Sequence, residues 1–184
     1  GGAAGHAASA WLPTAQVLAA GTRTRQTLRR SRQGAEKHYD LDNELFRLML
    51  DDTMAYSCGY WKNASTLNQA QEAKLDLICR KLELEPGMTM LDIGCGWGSL
   101  LEYAARHYGV RAHGVTVSTE QAQLARKRCQ DLPVEVLLKD YRAVSARHPR
   151  VVSGGLFEHV SRPPYHTLLR PAHRLVPAAR ILPP

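Results

Sequence analysis

The residues best equipped for chemistry lie in one stretch, Met88 to Leu100, which reads MTMLDIGCGWGSL. A β-prone run over 88–93 stops at Gly94-Cys95-Gly96-Trp97-Gly98 and passes into a helical pattern. Glycines at alternate positions remove the Cβ atoms that would hold a ligand away from the backbone. The turn then offers free N–H groups and the start of a helix to whatever binds there. Strand, glycine turn and helix make up the first unit of a nucleotide-type α/β site.

The spacing selects among nucleotides. A dinucleotide fingerprint needs G-x-G-x-x-G, and Ser99 stands where its third glycine belongs. The pattern present is D-x-G-x-G-x-G, Asp92 to Gly98. It resembles that of S-adenosylmethionine (SAM) methyltransferases, which implies that Asp92, Gly94, Gly96 and Gly98 belong to a SAM site. SAM carries no pyrophosphate, so the glycines need only admit its amino-acid part and sugar.

Several elements must position this turn. The Thr66–Leu82 stretch predicts a helix with a capping box, Thr66 and Gln69, and Leu67, Ala70, Leu75, Ile78 and Leu82 along one face. Pro86-Gly87 turns the chain into the central strand, and Gly109 ends the helix that follows the glycine turn. The 110–117 run reads as a second strand, Ser118 with Gln121 as a second capping box, and 134–138 as a third strand. Val151 to Phe157 suggests a fourth. Alternating β and α units mean a parallel doubly wound sheet with its site at the carboxyl ends of the strands. Ahead of it, Asp42 to Leu50 suits a short, largely buried helix, and Met54 to Trp61 is an aromatic, non-periodic stretch that reads as a lid or pocket wall. The expected organisation is a flexible basic leader over 1–35, a helical and aromatic lid over 36–66, and the main domain over 67–184.

Composition narrows the partners. The chain has 184 residues, enough for one domain with a real core. No run approaches the roughly 20 apolar residues that span a bilayer, and residues 1–20 lack the basic start and long apolar core of a signal peptide. Cys58, Cys79, Cys95 and Cys129 show no C-x-x-C spacing, which argues against a metal centre or disulfide framework and for a reducing cytoplasm. A formal charge of +7 favours a polyanion, nucleic acid or an anionic lipid surface. The basic residues are not interleaved with aromatics in a nucleic-acid module, so nucleic acid ranks last.

Taken together, the segments resemble the cyclopropane-fatty-acyl-phospholipid synthases and mycolic acid cyclopropane synthases. The residues that carry the match are His38-Tyr39-Asp40, Asn43-Glu44-Leu45-Phe46, Met54, Tyr56 to Trp61, Gln71-x-x-Lys74, Leu91 to Gly98, Gly114 to Ser118, Gln121, Asp140-Tyr141-Arg142 and Phe157 to Val160. The resemblance spans about 28–182, closely to Arg142 and in patches beyond. It implies a Rossmann-like class I SAM methyltransferase fold, α/β and mainly parallel, left incomplete by truncation at the C-terminus before a further His and Tyr of the family's site.

The resemblance also implies a reaction. A cis double bond in a phospholipid acyl chain takes the methyl of SAM, a carbocation forms, and loss of a proton from the new methyl closes a cyclopropane ring. A bound bicarbonate ion acts as the base. Carried over by position, Tyr56, Ser57, Gly94, Gly96, Thr116, Gln121, Asp140 and Tyr141 would touch SAM, with Asp140 accepting from the adenine amine. Cys58 and Glu158 would help hold bicarbonate. The implied setting is the inner face of the cell membrane, reached from the cytoplasm through the basic clusters. Two alternatives stay open: a SAM methyltransferase acting on another lipid or a small metabolite, and a non-catalytic SAM-binding remnant.

Overall fold

The computed structural model describes residues 43–155. The basic leader, Glu158 and the Phe157–Val160 match all lie outside them. Strands β1 (Thr89–Ile93), β2 (Arg111–Thr116), β3 (Val134–Leu138) and β4 (Arg150–Val152) form one parallel sheet in the order β3-β2-β1-β4. Helices α1 (Asn43–Met49), α2 (Leu67–Lys81), α3 (Ser99–Tyr108) and α4 (Thr119–Arg128) accompany it. From β1 the chain steps outward to β2 and β3, then returns to the other side of β1 for β4. The order therefore reverses at β1, and sheets of this kind take their ligands beyond the carboxyl ends of the strands at such a switch point. The glycine turn leaves β1 at that point.

Strand register fixes which side chains meet the helices. Met90, Ala112 and Val136 share one face and one core with Leu75 and Cys79 of α2, Leu101 and Ala104 of α3, and Ala122 and Ala125 of α4. Leu91, Ile93 and Val115 point the other way into a second cluster with Leu137, Tyr141, Val144 and Val151. Burial on both faces is what a parallel sheet requires of its central strands. On that second face His113 Nδ1 lies 2.6 Å from His148 Nε2, and His148 Nδ1 lies 3.1 Å from the Ala146 carbonyl. A carbonyl only accepts, so His148 carries its proton on Nδ1 and takes one from His113 on Nε2.

Both expected helix starts are present in half of their capping-box form. The Thr66 hydroxyl accepts from Gln69 N and the Ser118 hydroxyl from Gln121 N. The return contact is absent in each case, because Gln69 Oε1 takes Ser65 N and Oγ, and Gln121 Oε1 takes the Thr116 hydroxyl. Two expectations need correcting. Helix α1 buries Phe46 but exposes Leu45, Leu48 and Met49. An unbroken apolar run on a seven-residue helix cannot turn every side chain inward. The fourth strand covers Arg150–Val152 rather than 151–157, and the chain leaves the sheet at Ser153 and Gly154.

Candidate functional site

Backbone bonds tie the glycine turn to the end of β2. Gly94 N and Cys95 N both donate to the Val115 carbonyl, at 2.9 and 3.1 Å, and Gly98 N donates to the Cys95 carbonyl at 3.0 Å. Such a path runs through left-handed backbone: φ is 82° at Gly94, 54° at Gly96 and 86° at Gly98. The glycines differ in what their bare α-carbons face. A Cβ on Gly96 would meet no protein atom within 4 Å, so the space beside it is open to a ligand. A Cβ on Gly98 would lie 3.0 Å from Ala125 Cβ and 3.3 Å from Ala125 Cα. At Gly98, expected to admit the cofactor, the bare α-carbon faces α4 and the backbone is left-handed.

Asp92 points to the α3 side of the sheet, beneath the turn, and is 4% exposed. Among the described residues no donor or cation meets its carboxylate, and burial pushes its pKa up to about 7. A buried acid without a partner is costly when ionised. It suits a cationic ligand that supplies the missing charge. At the neighbouring strand end, the Thr116 hydroxyl donates to Gln121 Oε1 at 2.9 Å and accepts from Ser118 N at 3.2 Å. Gln121 is thereby fixed with its amide nitrogen still available as a donor.

Lys139 N donates to the Thr116 carbonyl at 2.9 Å, which brings Asp140 to the same edge of the sheet. The Asp140 carboxylate is buried, accepts from Arg142 N at 2.9 Å, and is gripped by the Arg142 guanidinium at 2.8 and 2.7 Å. Asp140 therefore shapes the turn after β3. Tyr141 belongs to the second-face cluster and its pKa is raised, first by burial.

The aromatic stretch reaches the turn through ring contacts. Phe46 lies 4.8 Å from Trp97 and 5.4 Å from Tyr56 between ring centroids, and Tyr56 lies 6.4 Å from Trp97. Trp97 is 2% exposed and Tyr56 is 47% exposed, so the cluster has a buried base and an open rim. Asp51 orders the approach: its carboxylate accepts from Thr53 N, the Thr53 hydroxyl and Ala55 N. Met54 takes φ 55°, unusual for a residue with a side chain, and the Asp51 contacts on either side hold it there. Arg128 at the end of α4 donates to the carbonyls of Thr53 and Asp52 and pairs with Glu102 of α3 at 3.5 Å. With Arg47, Asp51, Asp52, Met54 and Leu124, Arg128 also lines a cavity of ≈ 290 Å³ beside the Trp97 cluster.

Ser57 and Cys58 follow on this stretch and both are exposed. Lys74 of α2 donates to the Ser57 hydroxyl at 2.8 Å. Its pKa is lowered by burial, against the opposing pull of Asp51 and Cys58. Cys79, Cys95 and Cys129 are buried and their pKa values are raised, chiefly by that burial, as packing residues require. Among the described residues no group of three His, Cys, Asp or Glu is arranged for a metal ion, and no helix is long and apolar enough to cross a membrane.

The structure thus gathers Asp92, Gly94, Gly96, Thr116, Gln121 and Asp140 at one end of the sheet, and sets Tyr56 against the same glycine turn through Trp97. Phe46, Gln71 and Lys74 stand in the sequence only as part of the family resemblance, with no role attached, and Arg128 was missed altogether as part of the site's frame.

The chain is similar in sequence and shape to several known proteins. The family model for mycolic acid cyclopropane synthetase matches residues 26–182. The chain is 54% identical over 132 residues to cyclopropane-fatty-acyl-phospholipid synthase of Escherichia coli (strain K12), covering 72% of this chain and 35% of that protein. It is 43% identical over 148 residues to cyclopropane mycolic acid synthase 3 of Mycobacterium tuberculosis (strain CDC 1551 / Oshkosh), covering 78% of this chain and 52% of that one. The crystal structure of mycolic acid cyclopropane synthase CmaA1 complexed with SAH and CTAB superposes with a TM-score of 0.76 at 40% identity, over 80% of this chain and 53% of that one. The chain therefore spans about half, or less, of the length of these relatives. With a Rossmann-like sheet, a glycine turn at its switch point and a sequence match over most of its length, the chain belongs to the mycolic acid cyclopropane synthetase family.

Proposed function

We propose that this chain carries the SAM site of a cyclopropane-fatty-acyl-phospholipid synthase, which transfers a methylene to the cis double bond of an unsaturated phospholipid acyl chain. The observation that carries the reading is the pairing of a buried, partnerless Asp92 with the open space at Gly96. The SAH in the CmaA1 complex and the names of the relatives support it. SAM supplies an electrophilic methyl group on a cationic sulfonium. The residues of this chain then have separable tasks. Gly94 and Gly96 make room for the amino-acid part, Asp92 offset its positive charge, and Gln121 and Asp140 hold the sugar and base.

An isolated alkene is a weak nucleophile, so most of the gain comes from holding it at near-attack distance in a site closed to water. The cation that develops on the acyl chain is favoured by aromatic faces. Tyr56, at the open rim of the Phe46–Trp97 cluster, is placed to offer one. Closure of the ring needs a base for one proton of the new methyl group. In this reading Cys58 and Glu158 help hold a bicarbonate ion for that purpose.

The substrate lies in a membrane, and the basic residues fit peripheral, electrostatic docking at the inner face of the cell membrane. Each Lys or Arg near an anionic surface contributes about 1 kcal/mol. Raising salt is expected to release the chain from anionic vesicles, and retention at high salt would count against such docking.

The test of the reaction is incubation of cis-unsaturated phospholipid vesicles with this chain, bicarbonate and SAM carrying a fully deuterated methyl group, followed by mass spectrometry. Cyclopropanation adds a methylene that keeps two of the three deuterium atoms, and the product resists hydrogenation. A product that keeps all three would make the chain a lipid C-methyltransferase. Absence of any mass gain, with a full-length relative active alongside, would leave a SAM-binding piece without the reaction.

A further inference from the structure

Residues 55–60 do not pack through apolar side chains alone. They lie along the first turns of α2, held there by polar contacts. The side-chain amide of Gln71 donates to two carbonyls at once, Ala55 at 3.0 Å and Ser57 at 2.8 Å. One turn further along, Lys74 Nζ donates to the Ser57 hydroxyl at 2.8 Å. Tyr60 N donates to the Ala70 carbonyl at 2.8 Å, and a Cβ on Gly59 would fall 2.8 Å from Ala70 Cβ, so backbone and helix touch directly.

The orientation of Gln71 is forced. Two carbonyl acceptors require its NH₂ group, which turns its own oxygen away. That oxygen is buried and has no partner. A buried carbonyl without a bond costs stability that a methionine or leucine of similar size would not. Plain packing of α2 gives no reason for a glutamine at a position only 3% exposed. Holding the Ala55 and Ser57 carbonyls, two residues apart and both turned toward α2, does.

We propose that Gln71 and Lys74 are positioning residues which set the Tyr56-Ser57-Cys58 backbone at the mouth of the glycine-turn crevice, and so set the affinity for the cofactor. The inference rests on the SAM reading for its ligand and on the contacts above for its clamp. Gln71 holds the main chain, and Lys74 holds the side chain between two of the residues assigned to cofactor and base. Neither touches the reacting atoms.

Hydrogen exchange read by mass spectrometry on the whole chain, with and without S-adenosylhomocysteine (SAH), tests this. In Gln71→Met and Lys74→Met, peptides spanning 54–61 are expected to exchange about tenfold faster, while β1 and α3 peptides keep their wild-type rates. Lys74→Arg, which keeps a donor, is expected to restore wild-type exchange. The Kd for SAH is expected to rise about tenfold in the two Met variants and stay near wild type in Lys74→Arg. Unchanged exchange at 54–61 in Gln71→Met would overturn the clamp. So would acceleration spread evenly over the sheet, which marks a general packing role. Faster exchange with unchanged SAH affinity would overturn the link to the ligand. If wild-type chain fails to bind SAH, the cofactor reading falls, and exchange of the unliganded variants still decides the clamp.

Discussion

The indole of Trp97, carried by the glycine turn, lies 4.8 Å from the ring of Phe46, carried by α1, at an interplanar angle of 50°. This contact joins the segment before the sheet to the loop that opens the crevice. It makes the lid and the turn one unit, with Met54 and Leu124 packed around them.

Loss of that contact should therefore act twice. Phe46→Ala empties a site 3% exposed and is expected to cost about 3 kcal/mol of stability. It should also loosen Tyr56, which stacks edge-on against the same ring. Thermal melts and SAH titrations of the variant check both. A melt shifted as expected with unaltered SAH affinity would separate the lid from the cofactor site.

Two glycines in one turn should respond differently to the same substitution. Gly96→Ala adds a methyl group into open space and strains only a left-handed backbone, a cost of about 1–2 kcal/mol, yet it should abolish SAH binding. Gly98→Ala meets Ala125 and carries the same backbone strain, so it should melt markedly lower. Equal losses of stability in the two variants would contradict this division.

Asp92 should give the free protein an unusual pH dependence. Its folded-state pKa of about 7 lies above the ordinary carboxylate value, so the folded state binds more protons between roughly pH 4 and 7. The contribution of this group is full below that window and is lost as pH rises through it, on the order of 4 kcal/mol in total. Asp92→Asn should remove that loss, melting higher than wild type at pH 8 while binding SAM more weakly. Melting curves across pH 4–8 check the first part, and parallel wild-type and variant curves would exclude it.

Thr116 is the hinge of the polar set beyond β2. Thr116→Val keeps the shape, removes the donor to Gln121 Oε1 and the acceptor for Ser118 N, and is expected to cost about 1–3 kcal/mol. SAH affinity should fall because Gln121 loses its fixed orientation. An unchanged affinity would mean that Gln121 does not contact the ligand.

Much of this frame was legible from residue order. Alternating strands and helices, the D-x-G-x-G-x-G turn, Thr66 and Ser118 as caps, and Gly109 as a helix stop are local signals, and each acts within a few residues. What stayed hidden depends on contacts between distant segments. Gln69 and Gln121 fit capping boxes on paper, yet other partners took their side chains. Gly98 reads like its neighbours until α4 is packed against it. Gln71 and Arg128 gain their roles from loops 14–16 and 75–76 residues away, and no spacing rule reaches that far. Strand β4 stops at Val152 because Gly154 and Gly155 bring no side chains to pack, although the apolar residues on either side of them, Val151-Val152 and Leu156-Phe157, read as one strand.

The most direct measurement is calorimetric titration of SAH into this chain and into Gly96→Ala at pH 8. Saturable one-site binding by the wild type, lost in a variant that remains folded, is what a cofactor crevice at Gly96 and Asp92 predicts. No binding by the wild type, or equal binding by both proteins, would contradict it.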